Sequence, residues 1–250
     1  MLPTRTIVRI FQHSASKKYV YVGLLFAVIV YLFYIYCLGI QSIELIDISE
    51  DGTLTNNPLH AVSIEHAHLR AKKHRGVWVF VSNEYKQFLF TKRSKNAKTC
   101  PGSWAFNGEH AVFGESYNHC AHRCVEEELG VHHVEQLVKL EDSPVLVHLD
   151  YGDRIDKQWT QVYLAVIKKE FVVKEDRFEI ETVEWVNFSV ANKWLGECPM
   201  GTCRSCNPGH VSKTYPNSST SFYYTFLEMN IEYLNSAIAV YLNITLDTDA

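Results

Sequence analysis

The sequence predicts an α+β domain preceded by a single membrane-spanning helix. Three observations carry this reading. A stretch of 22 residues near the N-terminus, Tyr19–Ile40, holds no charged side chain. Beyond it, short runs of β-branched and aromatic residues recur while helical spacings are few, so strands and helices do not alternate as in a βαβ succession. The composition, 47% hydrophobic and 21% charged over 250 residues, is that of a folded chain with room for one domain plus appendages. No internal repeat is evident.

At 1.5 Å per residue, Tyr19–Ile40 makes a helix of about 33 Å, against a hydrocarbon core of about 30 Å. Tyr19, Tyr21, Tyr31, Tyr34 and Tyr36 lie towards its ends, where an aromatic belt belongs. Arg5, Arg9, Lys17 and Lys18 precede the run, and Glu44, Asp47, Glu50 and Asp51 follow it. The expected topology is a cytoplasmic tail (1–18), a signal anchor (19–40) and the remainder on the far side. That is a single-pass type II membrane protein of the endomembrane system (Golgi or ER lumen) or the cell surface. A cleaved signal peptide fits less well, since its apolar core spans about 7–15 residues and ends at a small-residue site that is lacking here. The N-x-[ST] triplets at Asn187, Asn217 and Asn243 all follow the anchor and are candidate glycosylation sites; Asn207 precedes Pro208 and is not. Of the seven cysteines, Cys37 lies in the anchor, and the other six are open to oxidation in a lumen, with 15 pairings if all join. Lysine plus arginine total 24 against 28 aspartate plus glutamate, a formal charge of −4 that provides no basic field for duplex nucleic acid. Nothing in the sequence specifies an oligomeric state.

Residues 41–68 read as a stem, because Ser49–Pro58 is polar and turn-rich. The basic cluster Leu69–Arg75 follows; such clusters are more often solvated faces than phosphate sites. Gly76–Ser82 reads as a buried strand and Gln87–Thr91 as its partner across a short polar turn. Further strands are expected at Val145–Leu149, Thr160–Ile167 and Glu181–Val186, and a C-terminal helix over Phe222–Leu242.

The chemically informative segment runs from Cys100 to Val131. A loop carrying Gly102, Gly108 and Gly114 leads into a helix-forming stretch, with Ser116 as N-cap and Gly130 as stop. Arg123, Glu126, Glu127 and Glu128 lie within it and Glu115 just before it. Residues four apart share a face, so Arg123 reaches Glu127. Carboxylates converging from a loop and one helix suit a hard divalent cation, which there would neutralise a diphosphate and activate water.

This segment resembles the Nudix box, G-x5-E-x7-R-E-U-x-E-E-x-G-U with U aliphatic. Glu115, Arg123, Val125, Glu127, Glu128, Gly130 and Val131 match, seven of the nine defined positions. Glu109 stands where the family has glycine, and Cys124 where it has glutamate. The upstream text is similar to the isopentenyl-diphosphate-isomerase branch: His74-Arg75-Gly76-Val77-Trp78, then Phe90-Thr91-Lys92-Arg93-Ser94, then Pro101-Gly102-Ser103-Trp104. The resemblance covers about residues 70–190 and implies a domain at 69–195, followed by a cysteine-containing loop and helix at 196–250. It further implies an α/β/α sandwich around a mixed sheet, Mg²⁺ or Mn²⁺, and hydrolysis of a nucleoside diphosphate linked to another group. Glu127, Glu128 and Arg123 become catalytic candidates, and Glu115, Glu127, Glu128 and His110 metal-ligand candidates. Arg75, Arg93, Gly108 and Gly114 become substrate-binding candidates. The leading substrate is a nucleotide or nucleotide-sugar diphosphate, with a prenyl diphosphate second.

The departures bear on activity. A thiol is soft and mostly protonated near pH 7, so Cys124 does not replace a carboxylate for a hard cation. Glu126 is a substitute only if the loop shifts, because it points about 100° away from Glu127 around the helix. Glu109 adds a carboxylate but loses glycine's freedom. A degenerate domain that binds a phosphorylated ligand or a protein without turnover is therefore the rival expectation. The isomerase reading is weaker, since Gly108 occupies the position of its reactive cysteine, although His110 matches a histidine that helps bind metal there. Cys198, Cys203, Cys206 and His210 have a spacing open to zinc, but their Gly/Pro-rich setting favours disulfides, which Cys100 and Cys120 could join. Cys120 and Cys124 share a helix face and are equally readable as small buried apolar residues. Glu179, Glu181 and Glu184 are candidates for a further carboxylate, with solvated surface acids the plainer reading. Trp159 and Trp185 read as core.

Overall fold

The computed structural model describes residues 45–97, 100–170, 180–191, 210–214, 222–223 and 226–248. Tyr19–Ile40, Asn217, Glu179, Cys198, Cys203 and Cys206 lie outside them. Among the described residues no helix is long and apolar enough to cross a membrane.

The described residues open with a small antiparallel pair, β1 (Leu45–Asp47) and β2 (Ala61–Ser63), and a short helix α1 (Ile64–Leu69) capped by the Ser63 hydroxyl. Then come β3 (Lys73–Asn83), β4 (Gln87–Arg93), β5 (Trp104–Ala105), β6 (Asn107–His110) and helix α2 (Tyr117–Leu129). The order continues with β7 (Gln136–Lys139), β8 (Val145–Asp150), β9 (Ile155–Ile167), β10 (Ile180–Asn187), β11 (His210–Thr214), β12 (Phe222–Tyr223) and helix α3 (Phe226–Thr248). The strands expected from sequence are present, each one to several residues longer. The C-terminal helix starts later than expected, because Phe222 and Tyr223 pair with β11 as a strand.

Ten strands among the described residues form one sheet in the order β10-β4-β3-β9-β8-β11-β12, with β5 on β4, β6 on β3 and β7 on β9. The long central pair β3 and β9 is parallel, from Lys73↔Lys157 to Asn83↔Ile167, and the remaining pairs are antiparallel, so the sheet is mixed. Both faces are covered, which explains why β3 reads as a continuous apolar run. Val77, Val79 and Val81 pack with Cys120, Ala121, Cys124, Val125 and Leu129 of α2. Phe80, Phe88, Phe90, Val162 and Leu164 pack on the other face with Tyr233, Leu234, Ala237 and Tyr241 of α3. This is the three-layer arrangement that the resemblance implied.

Two features position the site. β3 pairs with β4 only at Val81↔Leu89 and Ser82↔Phe88; beyond that point β6 takes over the edge of β3, from Val79↔Asn107 to Gly76↔His110. The sheet forks there. Second, residues 45–68, expected as a stem, are built into the body of the domain: Ile46 bridges to Val112, Ile48 bridges to His74, and the Asp47 side chain is fully buried.

Candidate active site

The loop between β6 and α2 turns at Gly114, whose φ of +83° is a conformation that side chains rarely adopt. Helix α2 starts as expected, the Ser116 hydroxyl accepting from the His119 amide at 3.2 Å. It ends at Gly130 with a φ of +67°, whose amide donates to the Glu126 carbonyl at 2.8 Å. Between these caps one stripe of the helix carries Cys120, Arg123, Cys124, Glu127 and Glu128.

Arg123 organises the loop. Its Nε and Nη2 donate to the two oxygens of Glu115 at 3.0 and 2.9 Å, a paired geometry that fixes both planes. Nη1 donates to Glu127 at 3.0 Å and lies 3.8 Å from Glu109, and Nη2 also donates to the His110 carbonyl at 2.7 Å. Burial pushes the Glu115 carboxyl up, but the Arg123 bonds and the Val112 amide at 3.0 Å outweigh it and hold the group below its ordinary value. Glu127 is 55% exposed at its side chain and Glu128 is half-buried. The catalytic and carboxylate candidates Arg123, Glu127 and Glu128 thus lie on one face of the helix, with Glu115 brought to Arg123 from the preceding loop.

Cys120 and Cys124 are buried free thiols packed in the α2 core. Burial first, then the charges of Glu109 and Glu128, push the Cys124 thiol well above its ordinary value, so it is a protonated apolar residue and not a ligand. Of the two readings the sequence left open for Cys120, a disulfide or a small buried apolar residue, the structure has the second.

Arg75, expected to bind substrate, does something else. It is buried, donates to Asp47 Oδ2 at 2.8 Å and to the Glu115 carbonyl at 2.7 Å, and stacks on the Tyr117 ring at 4.2 Å. A guanidinium so enclosed is a strut between the N-terminal pair, the loop and α2. The sequence reading missed it because Asp47, its partner, sits in an apparently polar stem. Arg93 is half-buried at the end of β4, its amide donating to Ser103 at 2.8 Å. Gly108 lies opposite Trp78 at the fork. Glu181 pairs with Lys92 at 2.9 Å on the surface, and Trp159 is buried.

His110 belongs to a group the sequence reading did not assemble. His68, His74, His110 and Asp156 bring one ligand atom each within 4.8 Å of one another. The imidazole rings are 5.1 to 5.3 Å apart, and Asp156 Oδ1 lies 3.2 Å from His74 Nε2. His74 Nδ1 faces the Lys72 carbonyl at 2.9 Å and so carries the proton there, which leaves the Nε2 lone pair free to bind a cation. The Nε2 atoms of all three histidines and Asp156 Oδ1 are buried without a hydrogen-bond partner among the described residues. Four unpaired ligand atoms at one point fit a divalent cation, and the imidazoles suit a transition-metal ion better than Mg²⁺. Burial and the neighbouring histidines hold His110 down to about 3, so it is neutral and able to coordinate at physiological pH. These ligands come from α1, β3, β6 and β9, which is why no local spacing disclosed them; the histidine preceding Arg75 was the available signal. Glu109 and His110 are adjacent on β6, so the two clusters meet across one strand.

The NUDIX domain pattern matches residues 72–198. An isopentenyl-diphosphate Delta-isomerase of Roseobacter denitrificans is 30% identical over 139 residues, covering 53% of this chain and 74% of that protein. Among solved structures, a MutT protein of Methanosarcina mazei is 26% identical with a TM-score of 0.39, over 50% of this chain and 81% of that one. An Ap4A hydrolase of C. elegans is 20% identical with a TM-score of 0.38, over 51% and 89%. The chain belongs to the Nudix family.

Proposed function

We propose that this chain is a divalent-metal-dependent hydrolase of a diphosphate linkage, with a nucleotide or nucleotide-sugar as leading substrate and a prenyl diphosphate as second. The observation that carries the reading is the paired Arg123–Glu115 contact beside Glu127 and Glu128, one strand from the histidine–aspartate group. Glu115, Glu127 and Glu128 would hold Mg²⁺ or Mn²⁺, and His68, His74, His110 and Asp156 a second cation. A cation bound there supplies charge neutralisation of the diphosphate and a more acidic water. Arg123 fixes the orientation of Glu115 and Glu127, and Gly114, with nothing within 4 Å of where a Cβ would stand, leaves backbone space for the phosphates. The isomerase alternative lacks a thiol at position 108.

The test is turnover by the full-length chain against a panel of diphosphates with Mg²⁺ or Mn²⁺. Glu128→Gln removes one charged ligand oxygen and lowers hydrolysis by roughly 10²-fold or more, with the fold retained. Cys124→Glu raises turnover where the missing box carboxylate limits it. A parent that is inactive with every substrate, and stays so after Cys124→Glu, yet binds a nucleoside diphosphate by calorimetry, establishes the binding-module alternative instead.

We also propose that Tyr19–Ile40 anchors the domain in a membrane with its C-terminal part lumenal or extracellular. Asn187, at the end of β10, and Asn243, on α3, are both exposed, as glycan attachment requires. Glycosidase treatment of the cell-expressed protein lowers its apparent mass. Unchanged mobility, with the C-terminus open to protease outside sealed vesicles, reverses the topology.

A further inference from the structure

We propose that Glu109 is a metal ligand of the box, delivering from strand β6 the carboxylate that Cys124 cannot deliver from helix α2. The inference rests on the hydrolase reading above and names a residue that the family pattern does not assign.

The register places it. Glu109 lies directly opposite Val77, and Asn107 opposite Val79, in an antiparallel pair. Residues opposite one another share a face, and Val77 and Val79 face the Cys120–Cys124 stripe of α2. Glu109 is therefore held against that stripe: its carbonyl lies 3.8 Å from Cys120 Sγ, and its Oε2 lies 3.8 Å from Arg123 Nη1. Its Oε1 accepts from the His110 amide at 2.8 Å, which fixes the rotamer. Glu109, Glu115 and Glu127 thus converge on the guanidinium of Arg123.

A second observation points to a ligand rather than to an acidic surface. Asn107, two residues along the same face of β6, is 4% exposed, and neither its Oδ1 nor its Nδ2 has a hydrogen-bond partner among the described residues. A buried primary amide left unpaired costs free energy unless something polar reaches it. Beside a cation-binding carboxylate its Nδ2 is a donor for a phosphate oxygen or a metal-bound water. The box position that lost its carboxylate lies on helix α2, and the position that gained one lies on strand β6, which contacts that helix at Cys120 and Arg123. The exchange moves the negative charge without removing it.

The experiment is calorimetric titration of the full-length protein with Mg²⁺ alone, chosen because an imidazole-rich site discriminates against it. Glu109→Gln weakens Mg²⁺ binding about tenfold or more, Glu109→Gly does the same, and adding Cys124→Glu to Glu109→Gln restores most of the affinity. Asn107→Ala weakens binding of a nucleoside diphosphate in the presence of Mg²⁺. Unchanged Mg²⁺ binding in both Glu109 variants, with binding lost in Glu128→Gln, overturns the proposal and leaves the hydrolase reading standing. Unchanged binding in Glu109→Gln and Glu128→Gln alike overturns both.

Discussion

Arg75 and Arg123 lie on the same side of the central sheet, yet only Arg123 reaches the carboxylates of the box. The difference is set by partners. Arg75 meets a fully buried carboxylate, Asp47, and a backbone carbonyl, and has no solvent path to a substrate. Removing one member of a buried pair leaves the other charge uncompensated. Asp47→Ala therefore costs about 3–5 kcal/mol of folding stability, read as a lower midpoint in urea unfolding. A substrate-binding Arg75 would instead show unchanged stability in this variant. At this scale the sequence was legible where partners are close along the chain, as in Arg123–Glu127 and the Ser116 cap. It was not legible where a partner is supplied from 28 residues away, as Asp47 is for Arg75, or from four separate elements, as in the histidine–aspartate group.

The elements themselves show which signals survive. Helix α2 was readable to the residue because its caps are side-chain and glycine chemistry that act locally. The long strands β3, β4, β8, β9 and β10 were readable from apolar runs. The two-residue and four-residue strands β5 and β6 carry no such pattern, and their existence depends on the fork between β3 and β4. That fork depends on Gly76. A Cβ there would lie 2.7 Å from the Glu109 carbonyl and collide with the Gln158 amide. Gly76→Ala displaces β6, and with it Glu109 and His110, at a cost of about 1–3 kcal/mol. The check is thermal unfolding together with the Mn²⁺ affinity of the variant, both of which fall. β1, β2 and α1 were hidden for another reason: their polar, turn-rich spacer Ser49–Pro58 dominates the composition of the stretch, although Ile46 and Ala67 are buried.

For the whole molecule, the mixed sheet with a helix layer on each face followed from the resemblance, while the placement of charge inside it did not. The consequence is a pH dependence. His110 ordinarily titrates at 6.5 and is held at about 3, chiefly by burial and then by the charge of His74. Asp156 ordinarily titrates at 3.8 and is held at about 2: burial raises it, but the close approach of His74 and the charges of the three histidines prevail. Both groups take up protons more readily in the unfolded chain. Stability is complete above the unfolded-state values, and it is lost as pH falls from 6.5 towards about 3 for His110 and from 3.8 towards about 2 for Asp156. The Tm of the metal-free protein declines over the first window, and His110→Gln flattens that decline. Mn²⁺ raises Tm at neutral pH, since it binds the folded state, and loses this effect in acid. A Tm independent of pH between 7 and about 4, and of Mn²⁺, would remove the histidine–aspartate group from the functional account.

The central claim is that the folded chain uses bound metal to break a diphosphate linkage with water. It is tested most directly by incubating the full-length protein and Mn²⁺ with nucleoside-diphosphate substrates in heavy-oxygen water, and weighing the products by mass spectrometry. The predicted result is one solvent oxygen incorporated into a phosphate-bearing product, dependent on the metal and abolished by Glu128→Gln. Substrate bound and recovered intact, with no labelled phosphate from any member of the panel, would contradict it.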